Sequence, residues 1–177
     1  MEHEPVILTI GYGNRSTADV FKLLNAHSCS FLIDVRSSPY SRVFPEYNRE
    51  CFKSACAQAG IKYVFMGDLL GGRPEAKDCY TEDGHVSYDK LAVNSFFLKG
   101  IQRLQDALSQ GYRIALLCSE KKPEKCHRSR LIGSVLAQNS IPVLHIDEQN
   151  QLISQTSVIK RITNGQGELF GKDGMNG

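Results

Sequence analysis

Residues 113–146 read RIALLCSEKKPEKCHRSRLIGSVLAQNSIPVLHI. The opening run, RIALLC, is short and apolar and has the pattern of a buried strand. From Pro123 to Asn139 the pattern turns helical, with Leu131, Ile132, Val135 and Leu136 forming one stripe and Pro123 tolerated in the first turn. IPVLHI then supplies a second strand. Strand, helix and strand in that order make a βαβ unit, which implies parallel strands.

The same alternation continues outward. PVILTI is a buried strand ending at Gly11, and Ser16 with Asp19 approximates a capping box for a helix bearing Val20, Phe21 and Leu24. FLIDVR is a strand. Asn48 caps a helix whose Phe52, Ala55, Cys56 and Ala59 recur at helical spacing, and IKYVF is the strand after it. Residues 67–89 are polar and glycine-containing and read as a long loop, a length at which loops are often functional or mobile. A long helix with Phe97, Ile101, Leu104 and Leu108 on one face runs to about Gln110. The expected fold is α/β, a three-layer sandwich with a mainly parallel central sheet of about five strands, its apolar strands covered on both faces. Residues 1–163 form the expected single domain, and the glycine-rich 164–177 a flexible tail.

Composition narrows the function classes. A chain of 177 residues with 41% hydrophobic and 23% charged residues is ordinary for a globular protein. A net charge of +2 is too small to argue for nucleic acid unless the arginines cluster. The N-terminus, MEHEPVILTI, is acidic where a signal peptide is basic, and its apolar run is too short for a membrane span. A cytoplasmic location is expected, and the six cysteines then read as thiols rather than a disulfide framework.

Ligands of open α/β sheets bind at the carboxyl ends of the strands. The segments that follow the strands here carry Gly11, Asn14 and Arg15; Asp34, Arg36 and Arg42; Arg73; and Cys118, Glu120, Cys126, His127 and Arg128. Arginine appears in every one. Its planar fork suits bidentate contact with phosphate, and a helix start after Cys118 adds unpaired N–H groups. The expected ligand is a phosphate-bearing small molecule or nucleic acid. Arg15, Arg36, Arg42, Arg73 and Arg128, with Gly11 and Asn14, would hold it. Asp34, Glu120 and His127 would be proton-transfer groups and Cys118 a candidate nucleophile. GYGNR lacks both the GxGxxG spacing and the P-loop lysine, so no cofactor is implied, and its glycines suit a tight turn.

The cysteines and histidine of residues 118–130 admit other readings. A zinc site built on Cys118, Cys126 and His127 needs a fourth ligand from Cys79 or His85, has no C-x2-C pair, and asks two consecutive helical residues to point at one ion. As a nucleophile, Cys118 would end a strand beside a helix N-terminus, a setting that lowers a thiol pKa. Its loop is nevertheless longer than the compact C-x5-R of phosphatases. Cys118 as plain core, with His127 capping locally, is the structural alternative.

The motifs TIGYGNRS, LIDVRSSPYSR, EYNRECF, LGGRP and LLCSEKKPEKCHRSRLI resemble the successive motifs of the domain-of-unknown-function 488 family, over roughly Leu8 to Ile146. The resemblance implies a single α/β domain without an established activity, with Gly11, Asn14, Arg15, Asp34, Arg36, Arg42, Gly71, Gly72, Arg73, Cys118, Cys126, His127 and Arg128 as signature positions. Tyr12 departs from the histidine that many relatives look like having. LIDVR followed later by a strand ending in cysteine gives a weaker likeness to rhodanese domains, and hence to sulfur transfer. In the tail, QGELF (Gln166, Leu169 and Phe170 as contacts) is similar to the peptide with which bacterial proteins dock on the DNA sliding clamp. That likeness implies the second function class, a noncatalytic DNA-associated module.

Overall fold

The computed structural model of the chain describes residues 5–164. Six strands form one sheet in the order β3-β2-β4-β1-β5-β6. They are β1 Ile7–Gly11, β2 Phe31–Asp34, β3 Lys62–Phe65, β4 Ile114–Cys118, β5 Val143–Ile146 and β6 Leu152–Ser154. The first five are parallel and β6 is antiparallel to β5, so the sheet is mixed. β1 and β4 are buried along their whole length, as continuous apolar strands covered on two faces must be.

Side chains alternate between two cores. On one face α1 (Thr17–Ala26) and α2 (Arg49–Gln58) lay Val20, Leu24, Phe52 and Cys56 against Leu8, Ile10, Leu32 and Leu117. The other face carries α3 (Gly67–Leu70), α4 (Tyr88–Ala92), α5 (Ser95–Ser109) and α6 (Ser134–Gln138). There Leu70, Phe97, Ile101, Leu104 and Leu136 pack on Ile7, Ile33, Ile114 and Leu116. Each fully buried apolar side chain of this size contributes about 1.5–3 kcal/mol. The last helix, α7 (Gln155–Asn164), follows β6 and buries Val158. Among the described residues no helix is long and apolar enough to cross a membrane.

The α/β sandwich is the one expected from the sequence, and the capping box of Ser16 and Asp19 opens α1. Three local expectations are corrected. The long helix breaks at Val93–Asn94, because Asn94 caps α5 by accepting from the Phe96 N–H. The helix expected from Pro123 is a 3-10 turn at Pro123–Lys125, then extended Cys126, then a π-helical turn over Arg128–Gly133 that runs into α6. The loop of residues 67–89 is largely folded: α3 and a 3-10 turn at Lys77–Cys79 sink Leu70 and Cys79 into the core. β6 and α7 had no counterpart in the pattern reading. Gln166, Leu169 and Phe170 lie outside the described residues.

Candidate functional site

β1 and β4 are neighbours whose connections leave toward opposite faces. α1 follows β1 onto one core, while the π-turn and α6 follow β4 onto the other. Such a divergence opens a crevice at the carboxyl edge of the sheet. Here Gly11 stands level with Cys118 in the parallel register. The ladder continues past the strand ends, where Tyr12 N–H donates to the Cys118 carbonyl and Gly13 N–H to the Ser119 carbonyl. The turn beyond takes Gly13 to a φ of +53°, a use the sequence suggested for these glycines.

A cavity of about 340 Å³ occupies this edge. Tyr12 lines it from the segment after β1, and Arg36, Ser37, Ser38 and Tyr40 from the segment after β2. Gly72, Arg73 and Tyr88 come from the folded segment after β3. Cys118, Ser119, Glu120, Lys125, Cys126 and His127 complete the wall from β4 and its loop. The wall includes three cationic side chains, Arg36, Arg73 and Lys125, and one carboxylate, Glu120.

Cys118 lies at the centre of a tight polar cluster. Its Sγ is 2.6 Å from Cys126 Sγ and accepts from Arg128 Nη1 at 3.0 Å. The Arg128 guanidinium is fully buried, and it also donates to the carbonyls of Glu120 and Lys121, so it clamps the loop while facing the sulfur. Burial alone pushes the Cys118 thiol up. The hydrogen bond from Cys126 and the Arg128 charge outweigh it, and the net direction is down. Cys126 moves the opposite way, raised by burial and by its negative neighbour. Elsewhere burial pushes Cys29 up to about 11 and Cys56 up to about 12, the ordinary fate of core thiols.

His127 Nε2 is 3.0 Å from the Val35 carbonyl, which can only accept, so Nε2 carries the proton. Burial lowers the His127 pKa, against the pull of the Cys118 charge, and keeps the ring neutral. Nδ1 then carries the ring's lone pair, 3.6 Å from Cys126 Sγ. Consecutive residues converge in this way because Cys126 is extended, with φ −121° and ψ 147°. The helical geometry expected at Cys126, and the objection to shared ligation drawn from it, do not hold. Among the described residues no three histidine, cysteine or acidic side chains gather in a way that could hold a metal ion.

The other expected site residues divide into those that line the cavity and those that do not. Arg36 lines it, and its Nε and Nη2 fork onto Asp34 at 2.9 and 2.6 Å. Asp34 also accepts from the Arg36 backbone N–H and from Tyr63 Oη, so this buried carboxylate is fully engaged in aiming Arg36. Arg15 is buried away from the cavity, donating to the carbonyls of Gly11 and Asp147 and to Asn150 Oδ1. Arg42 is exposed and outside the lining, whereas Arg73 is exposed and within it. Asn14 accepts from Lys121 Nζ at 2.7 Å and ties two loops together. Gly11 gives room: a Cβ there would collide with the Glu120 carbonyl and the Arg128 guanidinium.

Tyr12, Ser37, Ser38, Tyr40, Tyr88 and Lys125 line the cavity but were not among the expected site residues. The serines sit directly after a strand, a position that sequence reasoning could have weighted. Tyr12 lies stacked on Tyr47 with ring centroids 4.0 Å apart, and the Arg36 guanidinium is 5.4 Å from its centroid. Tyr88 has no local signal, because only the fold of residues 67–89 brings it in.

No curated protein matches the chain. A family model described as a domain of unknown function matches residues 16–135, a stretch that includes Asp34, Arg36, Arg73 and the whole segment from Cys118 to Arg130. The match leaves out Gly11, Asn14 and Arg15 and covers well over half of the sequence. The chain therefore belongs to the DUF488 family.

Proposed function

We propose that the cleft binds a small phosphate-bearing molecule, with its phosphate held by Arg36, Arg73 and Lys125 and with Cys118 as the reactive group beside it. The observation that carries this reading is Arg36 Nη1, a buried donor with no partner, on a guanidinium whose other nitrogens are fixed by Asp34. An unsatisfied buried donor costs about 1–3 kcal/mol, and a phosphate oxygen relieves that cost with a charge-assisted bond. Arg73 and Lys125, both exposed on the cavity wall, add charge without competing for the same position.

Size favours a small ligand. About 340 Å³ is at the lower end for small-molecule pockets. A duplex backbone is gripped over an extended basic face instead. Glu120 on the wall and His127 with its free Nδ1 are the groups able to move protons near Cys118. Asp34, saturated with hydrogen bonds, is a positioning residue in this scheme.

The test is a thermal-shift titration with a nucleoside monophosphate, inorganic phosphate and the uncharged nucleoside. The reading expects stabilisation by the phosphate-bearing compounds, weakened at least several-fold by Arg36→Met. Equal response to the uncharged nucleoside, or no change with Arg36→Met, would overturn it.

A further inference from the structure

We propose that Cys118 and Cys126 form a dithiol couple that reduces a small-molecule disulfide, with Cys118 as the attacking sulfur, Cys126 as the resolving sulfur and His127 as the base. The inference goes beyond phosphate binding and rests on the reading of Cys118 as the reactive group of the cleft.

Three geometric features carry it. The two sulfurs stand 2.6 Å apart, inside van der Waals contact, although eight positions separate the residues. Both line the cavity, so a substrate there meets them directly. The groups around them are asymmetric: Arg128 Nη1 serves Cys118, whereas the His127 Nδ1 lone pair and the Arg128 backbone N–H serve Cys126. A thiolate and a thiol with an adjacent base are what an attacking and a resolving sulfur each require.

The electron and proton balance closes. The Cys118 thiolate attacks one sulfur of the disulfide, forming a mixed disulfide and expelling the first thiolate. That step removes the negative charge that, after burial itself, holds the Cys126 thiol up. The buried Arg128 guanidinium then faces Cys126 alone, and His127 Nδ1 takes the Cys126 proton. Cys126 attacks Cys118 Sγ, closes the internal disulfide and expels the second thiolate, which collects the proton from His127. The dithiol has lost two electrons, and the substrate disulfide has become one thiol and one thiolate, the latter taking from solvent the proton that Cys118 had released to it.

The remaining cysteines provide internal controls. Cys29, Cys56 and Cys79 are buried outside the cavity lining, and Cys51 is exposed on α2. The full chain is incubated with oxidised glutathione, quenched with an alkylating agent and digested for mass spectrometry. The wild type should yield a Cys118–Cys126 bridged peptide and lose two alkylatable thiols. Cys126→Ser should instead accumulate glutathione on Cys118, and Cys118→Ser should give neither product at these positions. His127→Asn should slow closure of the bridge more than formation of the mixed disulfide, so that glutathione on Cys118 accumulates transiently.

A separate iodoacetamide rate for Cys118, taken without disulfide, keeps the two readings distinguishable. Fast alkylation with no bridge, or a stable mixed disulfide in the wild type, overturns the dithiol couple alone. Alkylation no faster than at buried Cys56 overturns the reactive Cys118 and the couple with it.

Discussion

Arg128 Nη1 donates to Cys118 Sγ at 3.0 Å, the guanidinium buried beneath the loop it clamps and the sulfur standing at the cavity wall. A buried guanidinium stays charged, so the sulfur facing it is stabilised as thiolate. Burial opposes that outcome, but the hydrogen bond from Cys126 and the Arg128 charge exceed it. Cys118 alkylation should therefore keep its neutral-pH rate well into the acid range, whereas an ordinary thiol loses it below about 8.5. Arg128→Lys, which lacks the planar fork that reaches the sulfur and two carbonyls at once, should raise the midpoint, and once the midpoint passes the assay pH alkylation should slow by roughly tenfold for each further unit. A pH–rate profile of the Cys118 peptide by mass spectrometry measures both. A wild-type midpoint near 8.5 would show that Arg128 holds the loop and leaves the thiol alone.

Gly11 should tolerate no side chain. The Cβ of Gly11→Ala would overlap the Glu120 carbonyl and press on the Arg128 guanidinium, and neither is a flexible end that can swing away. Overpacking of this kind costs about 1–3 kcal/mol or more, equivalent to roughly 2–4 °C of Tm for each kcal/mol in a chain of this length. The displaced loop should also carry Arg128 away from Cys118. Gly11→Ala is expected to melt early and to alkylate slowly at Cys118. A variant with wild-type values of both would mean that the Glu120 loop has room to retreat.

Arg15 separates an architectural arginine from a ligand-binding one. It joins the turn after β1 to the β5–β6 turn through the carbonyls of Gly11 and Asp147 and through Asn150. Arg15→Met strands buried carbonyls at about 1–3 kcal/mol each, so unfolding in urea should shift to clearly lower concentration. Affinity for a nucleoside monophosphate in the folded variant should stay within about twofold of wild type, since Arg15 does not line the cavity. A loss as large as that of Arg36→Met, measured by calorimetric titration, would put Arg15 in the binding site.

These arginines mark the limit of what the sequence could disclose. The five parallel strands were legible because a strand buried on both faces must be apolar throughout, as IALLC is. β6 was not, being three residues long and only partly covered. The carboxyl edge of the sheet was legible as the place to look, since strand order and loop chemistry are both linear properties. What each arginine does there was not. Arg15 and Arg128 satisfy carbonyls brought to them by the chain fold, Arg36 keeps one nitrogen unpartnered, and Arg42 stays outside. Charge can be read along the chain, but the partner that uses it is a matter of tertiary structure. The same holds for Cys126, whose closeness to Cys118 depends on a 3-10 turn and an extended residue where the apolar periodicity suggested helix.

His145 links acid stability to the platform under the site. Thr9 Oγ donates to His145 Nδ1 at 2.7 Å, and His145 Nε2–H donates to Gln155 Oε1 at 2.6 Å. Gln155 Nε2 donates in turn to the Ser129 carbonyl, within the π-helical turn that carries Arg128. The ring is neutral in this chain, and burial lowers its pKa to about 4 from the usual 6.5. The folded state thus binds the proton more weakly than the unfolded state, and the unfolded state holds more protons between these values. His145 should contribute its full stabilisation above about pH 6.5 and lose it progressively as the pH falls toward 4, by about 3 kcal/mol in all. Urea unfolding across this interval should show stability falling with pH in the wild type. The fall should be shallower in His145→Gln, which keeps a hydrogen-bonding side chain but cannot titrate. Parallel curves for the two proteins would assign acid sensitivity to other groups. A selective loss of Cys118 alkylation in His145→Gln, with its fold intact by circular dichroism, would show that this network also sets the position of Arg128.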